Sequence, residues 1–258
     1  MTDLISLARQ SHVAELVFSN PPYNHATVAL LRGLADALSA LDDEPDCRAV
    51  VLASDGKAFC AGADLAANEG GGVGGSTPDP LREFYDQALR VFSSRKPIVA
   101  AIQGAAVGAG LGLAVAADFR IASPEARFCA NFTKLGYHPG FALTHTLPRL
   151  VGAQRARLML LTARRFKPEE VLPWGLIDEI VPADALRASA RRLAAEIAEN
   201  APLALLATRK TLRAEDLDAA TAAILREHAA QALLRDTEDY AEGIRSVGER
   251  RAGRFVGR

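Results

Sequence analysis

Apolar residues recur along the chain with two alternating periods, which predicts strands that alternate with helices. Short apolar runs at 13–18, 48–53 and 98–102 are typical of buried strands. Between them, 27–41 carries leucines at helical spacing, and 81–92 is also predicted to be a helix. Two apolar strands joined by one helix predict a right-handed βαβ unit in a sheet covered on both faces.

The most informative stretch is residues 97–119, PIVAAIQGAAVGAGLGLAVAADF. After the apolar run, Gln103 and Gly104 predict a turn. A helix beginning near Ala109 then has no polar side chain, so we expect it to be buried on all sides. The first amides of such a helix point back toward the strand end, where small residues let a ligand approach the backbone. These features indicate a site of main-chain donors suited to a developing negative charge.

A second loop of small residues follows the strand at 48–53. Its sequence at 54–65 is SDGKAFCAGADL, with Ala61, Gly62 and Ala63 at its centre. The Gly- and Pro-rich stretch at 69–80 is predicted to be a flexible lid or connector. It is a poor phosphate loop, because no Gly-Lys-Ser/Thr follows its glycines.

Further strands are predicted at 118–122, 127–130 and 175–181, with helices at 153–162 and 168–172. From residue 184 onward every segment is predicted to be helical. The change near residue 200 divides the chain into a core, 1–199, and a helical layer, 200–258. Apolar stripes on such helices pack against the core or against a sister subunit.

The composition indicates which binding partners and which cellular compartment to expect. Charged residues make up 24% of the 258 residues and the net charge is −1, which favours neither nucleic acid nor an anionic membrane. The cysteines Cys47, Cys60 and Cys129 form no CxxC pair, which indicates a reducing compartment. Neither a signal peptide nor an apolar run of membrane-spanning length is evident, so we expect a cytoplasmic protein without membrane contact.

The sequence lacks the motifs of three other classes of protein. A dinucleotide fingerprint GxGxxG would need glycine where Leu113 stands, and no acidic residue follows at the expected distance. The sequence has no GxSxG nucleophile elbow and no HExxH motif or Cys/His cluster. A nucleotide-binding protein, a serine hydrolase and a metalloenzyme are therefore disfavoured, and no metal site is expected.

Taken together, the two small-residue loops resemble the enoyl-CoA hydratase/isomerase family, the crotonase superfamily. The resemblance is carried by KAFCAGADL at 57–65 and IQGAAVGAGLGLAVAADFRIAS at 102–123. It continues through GYHPGFALTHTLPRLVG at 136–152, KPEEVLPWGLIDEIV at 167–181 and TEDYAEGIRSVGERRAGRF at 237–255. These segments follow one another in the family's order over nearly the whole chain.

The resemblance implies an α/β fold, a spiral of ββα turns with a C-terminal helical trimerisation layer. It implies a homotrimer or a dimer of trimers that binds acyl-CoA thioesters, with coenzyme A as part of the substrate and no permanently bound cofactor. The backbone amides of Ala63 and Ala109 would stabilise the oxyanion of a thioester enolate. The other positions assigned to substrate or CoA binding are Lys57, Ala61, Asp64, Leu65, Ala66, Gly108, Gly110, Phe132 and Phe255.

The sequence departs from the family at the two glutamates that hydratases use. Gly112 and Phe132 stand at those positions, so the usual two-glutamate hydration is in doubt. His138 is the candidate replacement base, because imidazole titrates near neutral pH; a structural role for this histidine is the alternative. We favour an enoyl-CoA hydratase/isomerase-like enzyme. A decarboxylase, isomerase or thioester hydrolase that uses His138 stays open, as does a non-catalytic acyl-CoA-binding protein.

Overall fold

A mostly parallel sheet with helices on both faces forms the centre of the structure. The computed structural model describes residues 4–64, 74–75 and 77–258. In this part of the chain the strands, β1 to β8, are Ile5–Gln10, Val13–Phe18, Ala49–Ser54, Ile98–Ile102, Ala105–Val107, Phe119–Ala122, Arg127–Cys129 and Glu179–Ile180. The α-helices, α1 to α10, are Val28–Asp42, Pro80–Phe92, Ala109–Ala116, Leu143–Val151, Ala153–Thr162, Pro168–Val171, Leu186–Ala198, Pro202–Leu212, Asp216–Leu234 and Glu238–Gly248. Two 3₁₀ turns lie at Asn131–Leu135 and Leu172–Trp174.

The main sheet has the strand order β1-β2-β3-β4-β6-β8. Its first two strands form an antiparallel hairpin, and every other neighbouring pair is parallel. The strands β5 and β7 pair in parallel in a separate small sheet. Because β5 follows β4 after a two-residue turn, the chain leaves the main sheet for the small sheet just before α3 begins.

Both faces of the main sheet are covered. The helix α7 packs its small residues Ala190 and Ala194 against one face, while α1, α2 and α3 cover the other. The helix α1 begins where predicted, because the Thr27 side chain accepts a hydrogen bond from the Leu30 amide. All eight residues of α3 are buried, as its lack of polar side chains predicts.

Three features differ from the sequence prediction. The edge strand β1 was not predicted, because most of its residues are exposed and carry no clear apolar alternation. The three-residue strand β5 is too short for a periodic signal. The strand predicted at 175–181 is reduced to Glu179–Ile180, since the Leu176 amide is used in a turn with Val171.

The C-terminal helices share the main core. Ala220, Ala223 and Ile224 of α9 belong to the same apolar cluster as Leu34 of α1 and Phe84 of α2. The division of the chain after residue 199 stays a prediction. Among the described residues, no helix is long and apolar enough to cross a membrane.

A charged cluster ties α8 to the end of α3. Asp118 follows α3, and its carboxylate accepts hydrogen bonds from the Ile98 amide at 2.8 Å and from Arg209 Nε at 3.0 Å. The guanidinium of Arg209 also donates to the Ser94 carbonyl at 2.5 Å. Because Arg209 is only 8% exposed, these hydrogen bonds replace the water that its guanidinium loses on burial.

The substitution Arg209→Ala should lower the free energy of unfolding by about 3 kcal/mol, because it removes the nearer of two guanidinium groups beside the Asp118 carboxylate. Arg209 lies 3.0 Å from that carboxylate, whereas Arg213 lies 3.9 Å from it. Urea denaturation measures this change. The matched control is Arg192→Ala, which breaks an exposed ion pair with Glu179; we expect it to cost less than about 1 kcal/mol. Equal losses in the two variants would contradict the structural role assigned to Arg209.

Candidate active site

The two small-residue loops are held together by backbone hydrogen bonds and by close contact. The Cys60 amide donates to the Ala105 carbonyl at 2.8 Å, and the Val107 amide donates to the Cys60 carbonyl at 3.0 Å. A β-carbon added at Gly110 would lie 2.0 Å from the Cys60 carbonyl oxygen. Only glycine lets the first turn of α3 approach the other loop this closely.

The amide of Ala63 is free on the inner side of the first loop. Its neighbours are paired with Ala26, since the Ala26 amide donates to the Gly62 carbonyl and the Asp64 amide donates to the Ala26 carbonyl. Successive amides of an extended chain point to opposite sides, so the Ala63 amide points away from Ala26. Within the described residues it has no protein acceptor.

The amide of Ala109 is free because it begins a helix. The first intrahelical bond of α3 runs from the Gly112 amide to the Gly108 carbonyl, and the amides before it have no partner within the helix. Gly108 has a φ of 53°, a conformation that favours glycine and turns the chain into the helix. The positive end of the short helix dipole therefore lies at this amide.

The residues that carry the two free amides, Ala63 and Ala109, line one small cavity of about 60 Å³. Its wall is mainly aromatic and aliphatic, and its side-chain polar groups are two amides and two phenols. The described residues of the wall include no carboxylate and no imidazole. They are Ala61, Gly62, Ala63, Leu81, Phe84, Tyr85, Gly108, Ala109, Asn131, Phe132, Leu135, Tyr137, Gly140, Phe141 and Gln231. A larger cleft, of about 730 Å³, lies between the β1-β2 hairpin and α7. Its lining residues include neither Ala63 nor Ala109.

The ring of Phe141 takes the space beside Gly112. A β-carbon added at Gly112 would lie 2.5 Å from Phe141 Cβ and Cγ. Phe132, the other position at which the resemblance to the family predicts a glutamate, lines the cavity. The Phe141 ring therefore leaves no room for a glutamate side chain at Gly112 unless Phe141 moves.

A buried carboxylate fixes the backbone that carries Phe141. Phe141 and Ala142 have φ values of 60° and 57°, a left-handed conformation that is costly for residues with a β-carbon. Glu227 of α9 accepts hydrogen bonds from the Ala142 amide at 2.8 Å, and from the Thr144 amide and hydroxyl at 2.9 and 2.6 Å. Burial raises the pKa of Glu227, and these hydrogen bonds act in the opposite direction.

A second polar chain crosses from α2 to α9. The Tyr85 hydroxyl donates to Gln231 Oε1 at 2.6 Å, and Gln231 Nε2 donates to the His138 carbonyl at 2.7 Å. Burial raises the pKa of Tyr85 well above its ordinary value. The phenol therefore stays neutral throughout the physiological range. The pKa of Tyr137, in the same wall, is also raised, mainly by burial.

Several predicted positions come together around this cavity and others lie outside it. The predicted residues that line it are Ala61, Ala63, Gly108, Ala109 and Phe132. Gly110 instead provides the contact with Cys60. The His138 ring is half-buried with Nδ1 2.7 Å from the Pro139 carbonyl oxygen, and it does not line the cavity; neither do Lys57, Asp64 and Phe255. Leu65, Ala66 and, in the glycine-rich stretch at 69–80, residues 69–73 and 76 lie outside the described residues.

Four residues of the site were not predicted. Tyr85 is part of the apolar stripe of α2, where a tyrosine normally indicates core packing, and Phe141 gave no signal in its loop. The sequence does contain a signal for Glu227 and Gln231. Both are polar residues in the buried stripe of α9 that begins with Ala220, Ala223 and Ile224. Polar residues at apolar positions of an amphipathic helix indicate buried hydrogen bonds.

A parallel sheet flanked by helices, with a small-residue loop and a buried helix meeting at a cavity, defines a protein of the crotonase fold. The family model described as enoyl-CoA hydratase/isomerase matches residues 8–258. The chain therefore belongs to the enoyl-CoA hydratase/isomerase family, and the prediction of an enzyme of this type is confirmed.

Relatives and solved structures support this assignment. The chain is 43% identical over 213 residues to a Mycobacterium tuberculosis protein described as "Probable enoyl-CoA hydratase EchA14", which covers 82% of each chain. It is 35% identical to (E)-benzylidenesuccinyl-CoA hydratase of Thauera aromatica, over 98% of this chain and 99% of the relative. The crystal structure of carnitinyl-CoA hydratase from Mycobacterium avium covers 100% of both chains with a TM-score of 0.89 and 28% identity. These matches confirm the predicted crotonase-like α/β fold.

The substitution Gly112→Ala should lower the free energy of unfolding by about 1–3 kcal/mol, because the added methyl group overlaps Phe141. Gly248→Ala is the matched control, since a β-carbon added at this other helical glycine meets nothing within 4 Å among the described residues. That variant should be unchanged or stabilised by up to about 1 kcal/mol. Equal stability of both variants in urea denaturation would show that Phe141 does not fill this space.

Lowering the pH should stabilise the wild type relative to Glu227→Gln. A raised pKa means that folded Glu227 binds its proton more tightly than the unfolded chain does. Its contribution to stability is therefore complete below the ordinary glutamate pKa, and it is lost as the pH rises through the raised value. Unfolding free energies of both proteins, measured from about pH 4.5 to about pH 8, test this sign. A difference that instead grows in favour of the wild type as the pH rises would contradict it.

Proposed function

We propose that the protein is an acyl-CoA-processing enzyme that stabilises a thioester enolate with the amides of Ala63 and Ala109. The observation that carries this proposal is that both amides lack a protein acceptor within the described residues and line one cavity. Two donors on one carbonyl oxygen match the charge that develops when a thioester becomes an enolate. Family membership supplies the substrate class, an acyl-CoA in which coenzyme A is part of the substrate.

The surroundings of the amides strengthen this interaction. The wall is buried and largely aromatic, so a negative charge on the carbonyl oxygen is poorly screened by water. The N-terminus of α3 adds a favourable dipole at Ala109. The cavity holds only the reacting end of a substrate, since about 60 Å³ is room for about two water molecules.

The catalytic proton carrier differs from that of a two-glutamate hydratase. Gly112 and Phe132 bring no carboxylate to the cavity, and Phe141 fills the volume beside Gly112. His138 stays the predicted base. Its backbone carbonyl accepts a hydrogen bond from Gln231 Nε2, which links this residue to Tyr85 through Gln231. The alternative of an acyl-CoA-binding protein without turnover is decided by the experiment below.

A homotrimer or a dimer of trimers in the cytoplasm is the proposed setting. Support comes from family membership and from leucines that stand largely exposed on the helices around the core. The exposed fractions are 82% for Leu203, 75% for Leu212 and 79% for Leu233. Large apolar side chains that are this exposed would lose less free energy to water if a sister subunit covered them.

Replacing the Ala109 amide tests the proposal. Ala109→Pro removes the N–H at the first position of a helix, where proline is tolerated. Proline disfavours a helical conformation in the residue before it. Gly108, the residue before Ala109, has a ψ of −116° and is therefore outside the helical region. We expect turnover of enoyl-CoA substrates to fall about 100- to 1000-fold, because one oxyanion donor is lost. Mass spectrometry of products from an acyl-CoA panel measures this.

The matched control is Ala109→Gly, which keeps the amide and should retain turnover within a few-fold of wild type. Thermal denaturation of all three proteins shows whether the fold is kept. Wild-type turnover in the proline variant would remove Ala109 from the mechanism. If the thioesters of the panel bind to the wild type but none is converted, the protein is an acyl-CoA-binding protein and the enzyme proposal is wrong.

A further inference from the structure

The Tyr85 hydroxyl is a polar group of the cavity to which the proposed mechanism assigns no role. Its ring packs edge-on against Phe84, with centroids 5.5 Å apart, and it is only 3% exposed. A β-carbon added at Gly140 would lie 1.9 Å from the hydroxyl oxygen, so the glycine makes room for this group. The hydroxyl is thus held in a fixed position in the wall.

The direction of its proton follows from the polar chain. The His138 carbonyl can only accept a hydrogen bond, so the NH₂ group of Gln231 must face it, at 2.7 Å. The oxygen of the same amide then faces Tyr85, at 2.6 Å. Because that oxygen can only accept, the Tyr85 proton must be directed to Gln231.

The phenol oxygen therefore offers the cavity an acceptor and not a donor. With its proton committed to Gln231, the lone pairs are the part of the hydroxyl left for a ligand. The free amides of Ala63 and Ala109 offer only donors. The wall thus presents donors for a carbonyl oxygen and, on α2, an acceptor for a group that carries its own proton.

We propose that Tyr85 accepts a hydrogen bond from the O–H of a hydroxyacyl-CoA thioester whose carbonyl is bound by the two amides. This inference rests on the proposed function, because it needs an acyl thioester in the cavity. In a hydration reaction the hydroxyl oxygen of the product is the oxygen of the attacking water. The same contact would therefore orient water toward an unsaturated thioester. Tyr85 is a substrate-binding residue, and Gln231 is the positioning residue that sets its polarity.

Three thioesters of similar size test the preference for an O–H group. Calorimetry would compare 3-hydroxybutyryl-CoA, as each enantiomer, with butyryl-CoA and with acetoacetyl-CoA, whose 3-oxo group can only accept. We expect the wild type to bind one hydroxy enantiomer about two- to tenfold more tightly than the other two thioesters. In Tyr85→Phe this preference should vanish, because the acceptor is lost. The affinity for butyryl-CoA should stay within about twofold, because this thioester has no O–H group to donate to Tyr85.

Gln231→Leu provides a second test, which distinguishes a role of Gln231 in directing the Tyr85 proton from a purely structural role. Leucine cannot accept the phenol proton, which is then free to turn toward the ligand. The ratio of affinities should shift by about two- to tenfold toward acetoacetyl-CoA relative to 3-hydroxybutyryl-CoA. An unchanged ratio would overturn the assigned direction of the proton.

Tyr240→Phe is the matched control, a partly buried phenol of α10 that does not line the cavity, and it should keep the wild-type preference. The inference is wrong if Tyr85→Phe retains the preference or weakens all the thioesters equally. Failure of the wild type to bind butyryl-CoA would instead refute the proposed acyl-CoA site. The two failures are therefore distinguishable.

Discussion

The contact between the first turn of α3 and the backbone of Cys60 is the constraint on which the site depends. Strand pairing between Cys60 and Ala106 aligns the two loops, and the absence of a side chain at Gly110 lets them touch. With the loops in contact, Ala63 and Ala109 line the same cavity, which is the arrangement that the proposed function requires. A methyl group at Gly110 would separate the donors, so the geometry of the site is a consequence of packing.

A second constraint comes from α9, far along the chain. Two consecutive residues in the left-handed conformation, Phe141 and Ala142, cost roughly 1–2 kcal/mol each. The carboxylate of Glu227 offsets this cost, since charge-assisted hydrogen bonds are stronger than neutral ones. The consequence is that a C-terminal helix determines where the Phe141 ring lies, and thereby which residue can occupy position 112. Helices that look like an appendage in the sequence thus shape the cavity.

Much of this arrangement could be predicted from local patterns. The strands at 13–18 and 98–102 and the all-buried α3 are encoded by runs of apolar residues, and the two free amides by small-residue loops that follow strands. Tyr85 and Phe141 could not be predicted, because their role depends on which element packs opposite them, and that contact spans many residues of sequence. Glu227 and Gln231 are intermediate. Their polarity in an apolar stripe indicates a buried hydrogen bond, but their partners become known only from the fold.

The chemistry of the cavity follows from its neutrality. The burial that raises the pKa values of Tyr85 and Tyr137 keeps both phenols uncharged, and the described wall adds no carboxylate. A buried anion near the thioester would oppose the charge of the enolate. The described wall itself contributes no such anion, so in the proposed mechanism the two amides and the α3 dipole would act on that charge with little screening. On the proposed function, glycine at position 112 and phenylalanine at position 132 would remove a proton carrier from the site while they preserve, and electrostatically favour, the binding of an oxyanion.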